Sequence, residues 1–138
     1  MIELLVVLAI FSLAVATVTP FVGRFQQSQN AETHAQNIVQ TLRRAQNRAI
    51  LTERDSAWGV RFQTGSYILF AGTAYLSRII RFDETHPVSY QFSFPGLTEV
   101  VFGKGTGTPV TPGSVIIRNS DGTARSITVG AGGFIYLP

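Results

Sequence analysis

A chain of 138 residues has the size of one domain, and an apolar block at its N-terminus leaves about 110 residues for a water-facing fold. Cysteine is absent, which excludes a disulfide framework and thiolate metal sites but does not fix the compartment. Eleven basic against eight acidic residues give a net charge of +3, compatible with an anionic surface or a nucleic acid without demanding either.

Residues 4–22, LLVVLAIFSLAVATVTPFV, carry no charge. As a helix this stretch is about 28 Å long, close to the thickness of a bilayer core. A secretory signal peptide would show a basic n-region, a shorter apolar stretch and a small-residue cleavage site, and none of these is present here. Nor can about 110 residues easily surround a helix that is apolar on every face. The block predicts a membrane-spanning or filament-core helix. Glu3 stands directly before it, where an unpaired buried carboxylate would cost several kcal/mol. Two readings account for it: an interaction with the positive end of the helix dipole at a membrane surface, or pairing with a cation such as the α-amino group of a neighbouring copy, fixing axial register.

Beyond Gly23 the chain turns polar, but Ala31, Ala35, Ile38, Leu42, Ala45 and Ala49 recur at alternating spacings of four and three. This predicts one buried stripe on a helix that continues to about Leu51. Its small alanine side chains predict that a sheet packs on it. Arg43, Arg44 and Arg48 fall on the opposite face, either as a solvated surface or as an anion- or DNA-contacting patch.

After Asp55 the period changes to two. Trp58, Val60 and Phe62, a Thr64-Gly65 turn and Tyr67 to Phe70 predict a β-hairpin, with Trp58 as a core anchor. Further strands are expected over 78–82, over 88–94 with Val88, Tyr90, Phe92 and Phe94 on one face, and over 100–102. The segment from Gly103 to Pro109 is a loop; its GKGTG lacks P-loop glycine spacing and a following helix. Strands over 114–118, 124–129 and 134–137, joined by turns at Asn119 to Gly122 and Gly130 to Gly133, predict an antiparallel meander closing the sheet.

No catalytic constellation is legible. His34 falls on the polar part of the helix and His86 in a loop before Pro87. There is no HxxxH pair, no GxSxG, and no acidic cluster beyond Asp83-Glu84, which reads as a solvated turn. The chain is read as a non-enzyme without metal or cofactor.

The opening Met1-Ile2-Glu3-Leu4-Leu5-Val6-Val7-Leu8-Ala9-Ile10 resembles the start of mature type IV pilins and type II secretion pseudopilins, and Pro20 matches a proline common in that family. Met1 stands at the family's third mature position, so the basic leader, the cleavage glycine and two mature residues are expected upstream of it. The C-terminal run Phe102-Gly103, Ser114 to Ile117, Asp121-Gly122 and Arg125 to Val129 is similar to the minor pilins and pseudopilins of the GspH/FimT group. The resemblance implies an α+β ladle, with a long N-terminal hydrophobic helix packed by its second half on a C-terminal antiparallel β-sheet domain. Its parts are expected at 1–23 for the apolar half-helix, 24–52 for the amphipathic half and 53–138 for the β-rich domain. It also implies processing by prepilin peptidase, N-methylation, residence in the bacterial inner membrane and then assembly with other pilin subunits, on an assembly platform, into a pilus or secretion filament. Leu4, Leu5, Val6, Val7, Leu8, Ala9, Ile10, Phe11 and Pro20 would pack in the filament core, and Glu3 would set register. Some members bind DNA through a C-terminal Gly-Arg-x-Arg motif. The comparable Gly132-Gly133-Phe134-Ile135-Tyr136 has no arginine, so DNA binding is not implied by motif.

Overall fold

The computed structural model describes residues 2–138, with side chains described for 2–15 and 29–138. The chain forms two compact units, Met1–Asn30 and Ala31–Pro138. Helix α1 is assigned over Ile2–Ile50, with Glu3 in its first turn and Arg48 in its last, each the sign that the helix dipole favours.

In the first unit every described side chain from Ile2 to Val15 is exposed. Ser12 turns its hydroxyl inward and donates to the Ala9 carbonyl at 2.8 Å, so the polar group is satisfied locally. Among the described residues no helix is long and apolar enough to cross a membrane. The apolar run 4–22 extends beyond those residues, because the side chains of 16–22, Pro20 among them, lie outside the described set.

The second unit is α+β, with its strands in two antiparallel four-stranded sheets. Strands β1 (Trp58–Gln63), β2 (Ser66–Ala71), β3 (Glu84–Pro87) and β5 (Glu99–Phe102) form one sheet in the order β3-β2-β1-β5. Strands β4 (Phe92–Ser93), β6 (Gly113–Asn119), β7 (Ala124–Val129) and β8 (Ile135–Tyr136) form the other, in the order β4-β6-β7-β8. The expected β1–β2 hairpin forms, with Gln63 opposite Ser66 and Trp58 opposite Ala71.

A single sheet closed by the C-terminal meander was expected, and there are two. The edge of β5 is taken by the glycine- and proline-rich loop that follows it. Phe102 bridges to Pro109, Val110 N–H donates to the Val101 carbonyl and Gly103 N–H to the Thr108 carbonyl. The chain must therefore leave this sheet before β6 begins.

The stripe on α1 is buried as its spacing requires: Ala31, Ala35, Ile38, Leu42, Ala45 and Ala49 all have no exposed surface. They share one core with Trp58, Val60, Leu69, Val100 and Phe102 of the first sheet and with Val115, Ile117, Ile127 and Val129 of the second. Full burial of a side chain such as Ile38 or Leu42 contributes about 1.5–3 kcal/mol. The first sheet also buries its other face, where Ala57, Phe70 and Val101 pack with Tyr75. The chain comes so close there that a Cβ on Gly59 would lie 2.8 Å from both the Phe70 ring and the Val100 carbonyl oxygen.

The segment between β2 and β3 covers that second face and corrects the strand expected at 78–82. It forms two 3-10 turns, Tyr75–Ser77 and Ile80–Phe82. Arg78 ties them together by donating to Asp83 Oδ2 at 2.8 Å and to the Tyr75 carbonyl at 2.9 Å. The strand expected at 88–94 shrinks to Phe92–Ser93. Val88 and Phe92 are buried, but Tyr90 is 83% exposed and leans over Gly65, so the four residues do not share one buried face.

Leu42→Ala is expected to cost about 2–5 kcal/mol, the range for emptying a fully buried leucine site. Urea unfolding of the full chain in micelles, followed by Trp58 fluorescence, measures it; a loss well under 1 kcal/mol would contradict this account of the core.

Candidate functional site

The residues singled out in the sequence fall at different places. Glu3 lies in the exposed first turn of α1, followed by Leu4, Leu5, Val6, Val7, Leu8, Ala9, Ile10 and Phe11, all exposed. The structure thus presents an uncharged, uncovered apolar surface directly after an acidic first turn, one of the larger features a soluble surface would avoid.

The three arginines diverge in role. Arg44 Nη1 lies 3.0 Å from Glu84 Oε2 and Arg48 Nη2 lies 2.8 Å from Glu84 Oε1, so one carboxylate is held by two guanidiniums. Arg48 also approaches Glu53 at 3.6 Å and stands 4.7 Å above the Trp58 ring. Glu84 is therefore an ion-pair partner rather than part of a solvated turn, and Asp83 is likewise engaged, by Arg78. Arg43 makes no ion pair among the described residues. It lines a cleft of about 300 Å³ between α1 and the C-terminal strand, with Gln36, Gln40 and Tyr136 among its neighbours.

The end of α1 is fastened by the glycine loops. Gly105 N–H donates to the Ala49 carbonyl at 2.8 Å, satisfying one of the free acceptors of the last turn. One turn earlier, Gln46 Nε2 donates to the carbonyls of Gly107 at 2.9 Å and Gly133 at 2.6 Å. Gly107 must be glycine for two reasons: its φ is +66°, and a Cβ would sit 2.5 Å from the Ile50 side chain. Lys104 pairs with Asp55 across the same junction. GKGTG is thus a helix-capping loop.

The histidines are packing groups. His34 meets the Phe92 ring edge-on at 4.9 Å, and His86 stacks on its cross-strand neighbour Tyr67 at 5.0 Å. His86 lies in β3, not in a loop. Among the described residues no three metal-ligating side chains gather. Trp58 is 1% exposed and its indole N–H donates to the Glu53 carbonyl at 2.9 Å, as befits an anchor.

Sequence reasoning missed the link between Glu32 and Arg125, which lie 93 residues apart. Arg125 Nε donates to Glu32 Oε2 at 2.9 Å and Gln36 donates to Oε1 at 3.2 Å, joining α1 to β7. It also missed Gln46, Arg54 and Arg81. No local pattern marks any of them, because each acquires its partners only through the tertiary fold.

The sequence model of the family described as type II transport protein GspH matches residues 34–133, a range running from the middle of α1 to the turn before β8. The chain belongs to the GspH family. Its members are type II secretion pseudopilins, structural rather than enzymatic proteins, and the α+β architecture with antiparallel sheets is compatible with a pilin fold. Searches of curated proteins and of solved structures gave no significant match.

The Glu32 carboxyl is held below its ordinary value of 4.5, chiefly by the hydrogen bond from Arg125 and then by that from Gln36. A depressed carboxylate contributes stability above the unfolded-state value and loses it as pH falls through the folded-state value. Because both partners are about one-third exposed, Glu32→Gln is expected to cost under about 1 kcal/mol at neutral pH. The difference from the parent chain should vanish under acid; paired unfolding curves at neutral and acidic pH measure it, and a gap that widens below the ordinary carboxylate range would refute the pairing.

Proposed function

We propose that this GspH-family protein is a structural subunit of a type II secretion pseudopilus or a related type IV pilus-like filament, assembling through its N-terminal helix. The observation that carries the reading is the exposed, uncharged surface from Leu4 to Val15 directly following Glu3. Such a surface in water requires cover, and two environments supply it in sequence. Before assembly it is membrane lipid; in the filament it is the corresponding helices of neighbouring pseudopilins, of this chain or of others.

Apolar packing among helices supplies cohesion but little register, since it is non-directional. Glu3 supplies the directional element. A carboxylate drawn into an apolar bundle is costly unless paired, so the arrangement that gives it a cationic partner, such as a neighbour's terminal amine, is selected over axial slips. Processing by prepilin peptidase and docking on an assembly platform belong to the same reading, as does a position in the inner membrane and then in a periplasmic filament.

DNA binding gains no support from the arginine face. Arg44 and Arg48 already hold Glu84, and a phosphate would have to displace that carboxylate. A single-pass anchored module that never polymerises is distinguished by experiment.

Glu3→Ala is expected to abolish incorporation into filaments while the Ala31–Pro138 unit stays folded, because among the described residues none before Ala31 belongs to its core. Immunoblotting of sheared filament and membrane fractions measures incorporation, and circular dichroism checks the fold. Unchanged filament yield would remove the register role, and a parent chain found solely as membrane monomers would remove the filament role.

A further inference from the structure

Below the end of α1 lies a second cleft, of about 270 Å³, lined by Arg48, Arg54, Trp58, Arg81, Phe82 and Glu84 together with two further carboxylates. We propose that it is a docking site for a partner protein's acidic segment, an apolar-flanked carboxylate side chain received by Arg54 and Arg81.

Charge accounting carries the proposal furthest. Every carboxylate in the wall is already neutralised: Glu84 by Arg44 and Arg48, Glu53 by Arg48, and Asp83 by Arg78. Arg54 and Arg81 make no ion pair among the described residues, so the cleft carries their two charges in surplus. Both are drawn to one ring, with guanidinium carbons 5.0 and 4.8 Å from the Phe82 centroid. Each cation–π contact is favourable, but two cations on the same ring repel one another. A carboxylate placed beside them relieves that repulsion and meets the forked donors that guanidinium offers to planar anions.

The site is also held in place before any ligand arrives. Arg54 sits at φ 58°, in a turn where Thr52 and Asp55 also have positive φ, sparsely populated conformations that persist only where the surroundings hold them. Thr52 N–H to the Ala49 carbonyl, Asp55 N–H to the Thr52 carbonyl and the Trp58 indole to the Glu53 carbonyl fix this turn. Holding a side chain in its binding position lowers the entropic cost of association. Ile80, 70% exposed and next to Arg81, offers the apolar flank.

A nucleic acid fits less well, because it needs a run of phosphate contacts and the cleft offers only the two guanidiniums that meet at Phe82. Arg43 of α1, which makes no ion pair among the described residues, lines the other cleft.

Trp58 is the only tryptophan in the chain and lines this cleft, so its fluorescence reports occupancy. The test titrates the full-length protein in zwitterionic micelles with the peptide acetyl-Leu-Glu-Glu-Leu-amide, its Gln-Gln counterpart and a single-stranded oligothymidylate. The Glu peptide should saturate the signal. The Gln peptide, and the Glu peptide on the Arg54→Gln/Arg81→Gln double variant, should each bind at least about tenfold more weakly, one lost charged contact's worth. Arg118→Gln, which removes an unpaired arginine on β6, should leave binding unchanged. Equal binding by the double variant, absence of titration by the Glu peptide, or tighter binding of the oligonucleotide would each overturn the proposal. So would a signal change on concentrating the protein alone that Asp121→Asn abolishes, since this would assign the cleft to a second copy of the chain.

Discussion

The second unit depends on one contact: the complete burial of the Ala31, Ala35, Ile38, Leu42, Ala45 and Ala49 stripe in the core that both sheets share. Four of the six are alanines, which carry little apolar area, so Ile38 and Leu42 contribute most of the burial. Without the helix, the apolar faces that both sheets turn to the shared core would lose their cover on the α1 side. The rest of the unit works around that contact. The Gly103–Pro109 loop closes the edge of β5, the 72–83 segment covers the sheet's second face, and Glu32 with Arg125 ties α1 to β7.

The helix end is where structure and chemistry converge. Gln46 and the Gly105 amide attach the last turns of α1 to two glycine loops. Immediately beyond, Thr52, Arg54 and Asp55 adopt positive φ, which for a β-branched threonine is a marked departure from preference. The packing of Trp58 below and the ion pair of Asp55 with Lys104 hold this turn. The chain thereby places Arg54 beside the Phe82 ring carried by a different element, which no shorter stretch of sequence could specify.

Periodicity made much of this legible. The four-three spacing identified all six stripe residues, and the period of two located β1, β6 and β7, while β2 showed as a continuous apolar run after the Thr64-Gly65 turn because both its faces are buried. The reading failed over residues 72–98 for a physical reason. Arg78-Ile79-Ile80-Arg81-Phe82 has the β-branched and aromatic composition of a strand, but Ile80 is exposed and Arg78 closes the segment on itself through Asp83 and Tyr75. Composition of this kind reports a strand only where a sheet receives the residues. The same limit hid β3, whose Glu84-Thr85-His86-Pro87 has no apolar face but pairs with β2 through its backbone. Of the candidate residues, Arg43, Arg44 and Arg48 looked equivalent by spacing. Only the position of Glu84, on a strand far along the chain, separates the two that are paired from the one that is not.

The net positive charge also gains a location. Among the described residues, six basic ones, Arg44, Arg48, Arg61, Arg78, Lys104 and Arg125, pair with the chain's own carboxylates, while the unpaired arginines include the two that meet at Phe82. Among the described arginines without an ion pair, Arg54 and Arg81 meet at one ring while Arg43 and Arg118 stand apart, which suits a discrete protein contact better than a polyanion. All of this depends on α1 being an integral part of the second unit's core. Hydrogen exchange of the amides of Ala35, Ile38, Leu42, Ala45 and Ala49 in the full chain tests that most directly. The account predicts that they exchange only through global unfolding, with the same protection and the same denaturant dependence as the central amides of β1 and β7. Exchange through local opening, faster than in those strands and insensitive to denaturant, would contradict it.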